Sequence, residues 1–128
     1  MSRWLPFLLP LLASCDDTVF VAPPKVYTSD WNGMRSLIDD QCAVCHGPGA
    51  GTFPVLPDDL LVDIQDGTGF YVVAGEPDNS LLWRVLENEL VDGDFAVMPL
   101  GRGQLPSASV TPIRIWIEDG AVIPEATP

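Results

Sequence analysis

The chain has 128 residues, of which 47% are apolar, and a formal net charge of −12 at pH 7. This length suits one small hydrophobic core rather than two. The negative charge argues against a nucleic-acid partner. An acidic surface either only keeps the protein soluble or also binds a basic docking partner. With 13 prolines and 11 glycines, the composition predicts an all-α fold of a few short helices and long loops.

Residues 1–14 have the pattern of an export signal, in which Arg3 precedes a short apolar run. The run is too short to span a bilayer. It leads into Leu-Ala-Ser-Cys at residues 12–15, which resembles the lipobox of bacterial lipoproteins. The pattern predicts a lipid on Cys15 that anchors the chain in the cell envelope, facing the periplasm. The alternative is an ordinary signal peptide that leaves Cys15 as a thiol.

Residues 15–29 contain two consecutive prolines and are predicted to form an extended tether, whose apolar residues offer contacts with the domain. The domain is predicted to span 30–123, followed by a tail at 124–128. Its first helix is predicted over 30–42, capped by Ser29 or Asp30 and ended by the glycine-rich residues 47–51. The residues that recur at helical spacing on its buried face are Trp31, Met34, Ile38 and Cys42.

This helix leads into Cys42-Ala43-Val44-Cys45-His46, a C-x-x-C-H motif that contains the only histidine of the chain. The spacing is typical of c-type haem attachment, with two thioether bonds and an adjacent proximal histidine. No βαβ pattern supports a thioredoxin-like site, and the ligands for a closed zinc site or an iron–sulfur cluster are too few. The motif therefore predicts one covalent haem c held by Cys42, Cys45 and His46. A carbonyl within residues 47–57 is expected to accept the ring N–H of His46.

Further elements follow from turn and helix signals. A helical turn is predicted within 58–64, a glycine turn at 67–69 and a short extended piece at 70–73. The clearest helix is predicted over 79–90, capped by Asp78 or Asn79 and ended by residues 92–94. The last helix is predicted near 112–119 and capped by Thr111, or it begins at Ser107 with Pro112 as a kink. The predicted buried stripes of these two helices are Leu81, Leu82, Val85, Leu86 and Leu90, and then Ile113, Trp116 and Ile117.

Met98 is the candidate for the second axial ligand. His/Met ligation is the arrangement of electron-transfer cytochromes c. Met34 lies on the same element as the proximal motif, whereas Met98 lies far downstream in a loop that is stiffened by Pro99. The rival interpretation is a buried core methionine. Arg84 and Arg102 are candidates for haem propionate partners or for solvated surface residues.

The sequence resembles class I-like monohaem cytochromes c, and more narrowly the planctomycete-type cytochrome c domains. The resemblance rests on the haem motif, on Gly75-Glu76-Pro77-Asp78-Asn79-Ser80-Leu81-Leu82, on Met98-Pro99 and on the ending Ile113-Arg114-Ile115-Trp116-Ile117-Glu118-Asp119-Gly120-Ala121. It covers about residues 30–123. It implies an all-α fold wrapped round one covalent haem, with thioethers at Cys42 and Cys45 and axial ligands His46 and Met98. Pro112 departs from the uninterrupted last helix of that family.

Together these patterns predict a lipid-anchored carrier of single electrons that exchanges them with redox partner proteins, and not an enzyme. The sole histidine is taken by the motif, so no general base is evident. The alternatives are a haem-based ligand sensor or a small peroxidase, each with an open sixth position on the iron. A third is a structural or assembly lipoprotein in which the haem stabilises the fold.

Overall fold

The computed structural model describes residues 23–94, 96–101 and 103–125, and it is helical with no strand among them. This confirms the predicted all-α class. The predicted signal at 1–14, Cys15 and Arg102 lie outside the described residues. The elements are α1 (Trp31–Leu37), a π-helical turn (Ile38–Cys42), α2 (Ala43–His46), α3 (Asp58–Asp66), a 3₁₀ turn (Pro77–Asn79), α4 (Leu81–Glu87) and α5 (Ser107–Glu118).

The first helix begins as predicted and then changes from an α-helix to a π-helical turn. Asp30 is the N-cap, and its Oδ1 accepts the N–H of Gly33 at 2.8 Å. The predicted face is buried at Trp31, Met34 and Ile38. The α-helix ends at Leu37, and a π-helical turn follows in which the N–H of Ala43 donates to the carbonyl of Ile38. The predicted continuous helix to residue 42 is therefore interrupted.

Gly33 lies in the middle of α1, where glycine is a poor helix former. A Cβ at this position would lie 1.9 Å from the carbonyl oxygen of Thr28. The chain that enters the domain thus crosses the helix at backbone contact distance. Gly33 is required by this approach and not by a special backbone angle.

The core forms where α1 meets α5, with α4 packed against α5. The rings of Trp31 and Trp116 lie 5.8 Å apart between centroids. Both side chains are buried, and burial of such large apolar surfaces is the main stabilising contribution available to this fold. The buried apolar residues are Tyr27, Trp31, Met34, Leu37, Ile38, Leu56, Leu60, Val72, Trp83, Leu86, Val110, Ile113, Trp116, Ile117 and Ala121.

The last helix begins at Ser107, so the start predicted near residue 112 is wrong and the earlier start is correct. Pro112 lies inside the helix and is buried. Proline has no N–H for the helical ladder. The turn before it is nevertheless fixed, because Val110 is fully buried and the hydroxyl of Ser109 donates to the carbonyl of Lys25 at 2.6 Å. The predicted inward residues Ile113, Trp116 and Ile117 are buried.

The α4 helix is shorter than predicted at both ends. A 3₁₀ turn occupies Pro77–Asn79, so Asp78 and Asn79 do not cap it; Ser80 is the residue before the helix. It ends at Asn88, which is left-handed with φ 59°, and not at residues 92–94. Leu90 therefore lies outside the helix and is 39% exposed. Of the predicted stripe only Leu86 is buried, whereas Leu81, Leu82 and Val85 are half-buried. Trp83, on the same helix, is buried.

The loop after α3 is organised by one buried carboxylate. Gly67, in the predicted turn, ends the helix in the left-handed region. Residues 70–73, which were predicted to be extended, are irregular and form no strand. The carboxylate of Asp63 instead accepts the N–H groups of Phe70, Tyr71 and Val72 at 2.8–3.0 Å. These bonds satisfy backbone donors that a strand would pair in a ladder.

Part of the predicted tether packs on the domain. Tyr27 is buried, and its hydroxyl donates to Asp40 at 3.0 Å. Lys25 forms an ion pair with the same carboxylate. These contacts lower the pKa of Asp40, chiefly through Lys25. Val26 between them is 68% exposed.

Candidate functional site

The π-helical turn sets the direction of the second cysteine. In a continuous α-helix Cys45 would lie on the same face as Ile38 and Cys42, because the spacings are seven and three residues. The wider turn changes this register immediately before the motif. Cys42 packs half-buried against the core, whereas Cys45 is an exposed, free thiol. Both sulfur atoms are therefore at or near the surface, on one short stretch of helix, where π-helical turns commonly mark functional sites.

The histidine is oriented by the loop that follows it. Nδ1 of His46 donates to the carbonyl of Pro54 at 2.9 Å, and the N–H of Leu56 donates to the carbonyl of His46 at 2.7 Å. The expectation of a carbonyl partner within residues 47–57 is confirmed. This bond fixes the tautomer and leaves Nε2 as the ring nitrogen with a lone pair for a metal.

Gly47 allows the chain to leave the motif sharply. A Cβ at this residue would lie 2.5 Å from the carbonyl oxygen of Ala43. The glycine thus lets the loop fold back towards the imidazole ring. Two large apolar side chains are exposed beside the motif, with Val44 at 78% and Phe53 at 82%. An apolar cofactor bound at the motif would gain free energy by covering such surface.

Met98 lies in the described residues between α4 and α5 (88–94, 96–101 and 103–106), here called the methionine loop. It is half-buried, whereas Met34 is only 1% exposed within the core. The N–H of Met98 donates to the carbonyl of Val85 on α4 at 2.8 Å. Met98 therefore lies outside the core cluster, in contrast to the rival interpretation that it is a core methionine.

A buried ion pair joins the methionine loop to α4. Nε and Nη2 of Arg84 each lie 2.8 Å from one carboxylate oxygen of Asp94. The guanidinium beside it, with help from the N–H of Val91, lowers the pKa of Asp94 to about 2. The side chains are 15% and 6% exposed. Arg84 is thus not a solvated surface residue, because it is paired with Asp94. Its candidate role as a haem propionate partner stays a prediction.

One buried donor lacks a partner among the described residues. It is Nε1 of Trp83 on α4, a side chain that is 5% exposed. The guanidinium of Arg114 lies 5.3 Å from the centroid of its ring and does not accept a hydrogen bond. Buried N–H groups nearly always have an acceptor. An acceptor outside the described residues would satisfy this one.

These observations test whether the motif suits a covalent haem. Two thiols at C-x-x-C spacing, an imidazole with its Nδ1 proton already committed, and uncovered apolar side chains form a donor set that fits haem c. Within the described residues, no group of three or more His, Cys, Asp or Glu side chains is arranged to hold a metal ion. A covalent haem needs no such group, because its porphyrin holds the iron.

No family model, curated protein or solved structure matches this chain. Among the described residues, no helix is long and apolar enough to cross a membrane.

Three features of the site were not evident from the sequence. The π-helical turn has no compositional signal, and the Arg84–Asp94 pair joins residues ten positions apart across a loop. The third is the attachment of Met98 to Val85, which depends on how the loop returns to α4. The sequence indicates Arg84 as a candidate propionate partner, but it does not indicate Asp94 as the partner of Arg84.

Proposed function

We propose that this chain is an exported, lipid-anchored, monohaem c-type cytochrome that carries single electrons. The observation that carries the proposal is the hydrogen bond from Nδ1 of His46 to Pro54, within an intact C-x-x-C-H motif. It presents Nε2 in the way that a proximal haem ligand requires. Cys42 and Cys45 would hold the haem covalently, and Cys15 would carry the lipid.

The haem, when bound, supplies reversible one-electron chemistry at its iron. The protein's part is to hold both axial ligands in each oxidation state and to exclude water. His46 is suited to this because its ring is held by the 47–56 loop. Met98 is the proposed second ligand, since its own N–H is held by α4. A thioether ligand would favour the reduced state and raise the potential.

The partners proposed are redox proteins that dock on an acidic surface. The chain has 18 acidic and six basic residues, so a basic docking face would be attracted to it. The lipid on Cys15 is proposed to anchor the protein in the membrane, with the domain facing the periplasm.

The test is an optical spectrum of the oxidised and reduced protein, made with a cytochrome c maturation system, beside Met98→Ala. We expect covalent haem in both proteins and a far-red sulfur-to-iron band that is present only in the wild type. Met34→Leu is the matched control, because Met34 is a core methionine and its replacement conserves volume. It should keep the band.

Two results would contradict the proposal. Covalent haem without the band, together with ready carbon monoxide binding in the wild type, would favour the sensor or peroxidase alternatives. Absence of covalent haem would refute the cytochrome assignment as a whole.

A further inference from the structure

The methionine loop is held by the C-terminal end of α4. The last four carbonyls of a helix have no partner within it. In α4 the carbonyl of Arg84 accepts the N–H of Glu89 at 3.0 Å, and that of Val85 accepts the N–H of Met98 at 2.8 Å. The amide of Gln104 makes a longer contact of 3.5 Å with the carbonyl of Leu86. Three successive carbonyls of α4 thus accept hydrogen bonds from residues that follow the helix.

The ion pair adds a side-chain attachment to these backbone contacts. Both guanidinium–carboxylate distances are 2.8 Å, and this paired geometry restricts orientation as well as separation. Asp94 also accepts the N–H of Val91 at 3.0 Å, and its own N–H donates to the carbonyl of Val91 at the same distance. The carboxylate therefore fixes both the helix and the turn that precedes Met98.

Only three residues separate Asp94 from Met98, and the two are attached to adjacent residues of α4. The attachment points, Arg84 and Val85, belong to one rigid helical turn. Attachment at two such close points restricts the positions that Asp94 and Met98 can take relative to α4. The backbone that carries Met98 is therefore held in place by α4.

We propose, on the basis of the proposed function, that the Arg84–Asp94 ion pair is the positioning element that holds Met98 as the sixth ligand of the haem iron. Neither residue is a ligand, and the pair acts through the backbone of the methionine loop. Loosening the loop would make the thioether easier to displace, as loss of outer partners weakens other metal sites.

The test is an imidazole titration of the oxidised, haem-loaded protein. We expect Asp94→Asn and Arg84→Met to bind imidazole about tenfold more tightly than wild type, because the loosened thioether competes less well. The control is Glu118→Gln, which breaks the more exposed pair with Arg114 at 2.9 Å and should leave imidazole affinity unchanged. Urea unfolding of each variant reports stability separately.

A second variant separates the loss of the positioning role from a loss of stability. The double change of Arg84→Met with Asp94→Leu replaces the pair by apolar side chains, which frequently preserves stability. It should still bind imidazole more tightly. If the wild type shows the far-red band but the variants bind imidazole no better, the positioning role is wrong while His/Met ligation stands. If wild-type haem lacks the band, Met98 is not a ligand, and both proposals fail.

Discussion

His46 ends a helical run that starts in the core, whereas Met98 lies in a loop that α4 holds through a side-chain pair and a helix-end carbonyl. On the histidine side, the motif is covalently continuous with α1, and one carbonyl eight residues later sets the ring. On the methionine side, Asp94 and Met98 are both attached to α4, across the loop. The comparison teaches that local chain geometry can place a candidate ligand such as His46, whereas the candidate ligand Met98 is held by tertiary contacts.

The largest effect is expected from removing both thiols. Cys42→Ser with Cys45→Ser should abolish covalent haem attachment completely, because no other thiol lies next to His46. Denaturing mass spectrometry of the purified protein measures this directly. Met98→Ala, by contrast, should retain the added mass of haem. A methionine variant that also lost the haem would show that the two sides are not separable.

A smaller effect is expected at Gly33, on the histidine side. Gly33→Ala improves helix propensity by about 1 kcal/mol, but the new Cβ would meet the carbonyl of Thr28 at 1.9 Å. We expect a net loss of about 2 kcal/mol in the free energy of unfolding, measured by urea denaturation.

The matched control for this change is Ser36→Ala, at an exposed position of the same helix. It should be neutral or slightly stabilising. A Gly33→Ala protein as stable as this control would show that the entering chain moves away from α1 without cost.

The smallest effect concerns acid stability on the methionine side. The pKa of Asp94 is lowered to about 2 by Arg84, below its ordinary value of 3.8. A lowered pKa contributes stability that is present above the unfolded-state value and is lost as the pH falls through the folded-state value. The wild type should therefore lose more unfolding free energy between about pH 4 and pH 2 than Asp94→Asn does.

The measurement is urea unfolding of both proteins at several values of pH from 2 to 6. Asp30 and Asp40 also have lowered pKa values, through Thr28 and Lys25 respectively, but they are present in both proteins. Their contributions therefore cancel in the comparison. Parallel curves for the two proteins would show that the ion pair does not persist in solution.

Sequence reasoning succeeded where the signal was local. The Asp30 cap, the buried face of Trp31, Met34 and Ile38, and the glycine break after His46 all depend on residues within a few positions of one another. It failed at the end of α4 and chose the wrong first option for the start of α5. The start of α5 is held by a contact with a distant segment, whereas α4 ends at the left-handed C-cap Asn88.

The sequence by itself determined the C-x-x-C-H motif, the all-α class and the buried faces of α1 and α5, because side-chain type and spacing act through the geometry of the helix alone. Only the tertiary structure decided that α5 starts at Ser107, that Gly33 must be glycine and that Arg84 faces Asp94. These depend on which segments meet. The bond from Ser109 to Lys25 joins residues 84 positions apart, and no local pattern specifies such a contact.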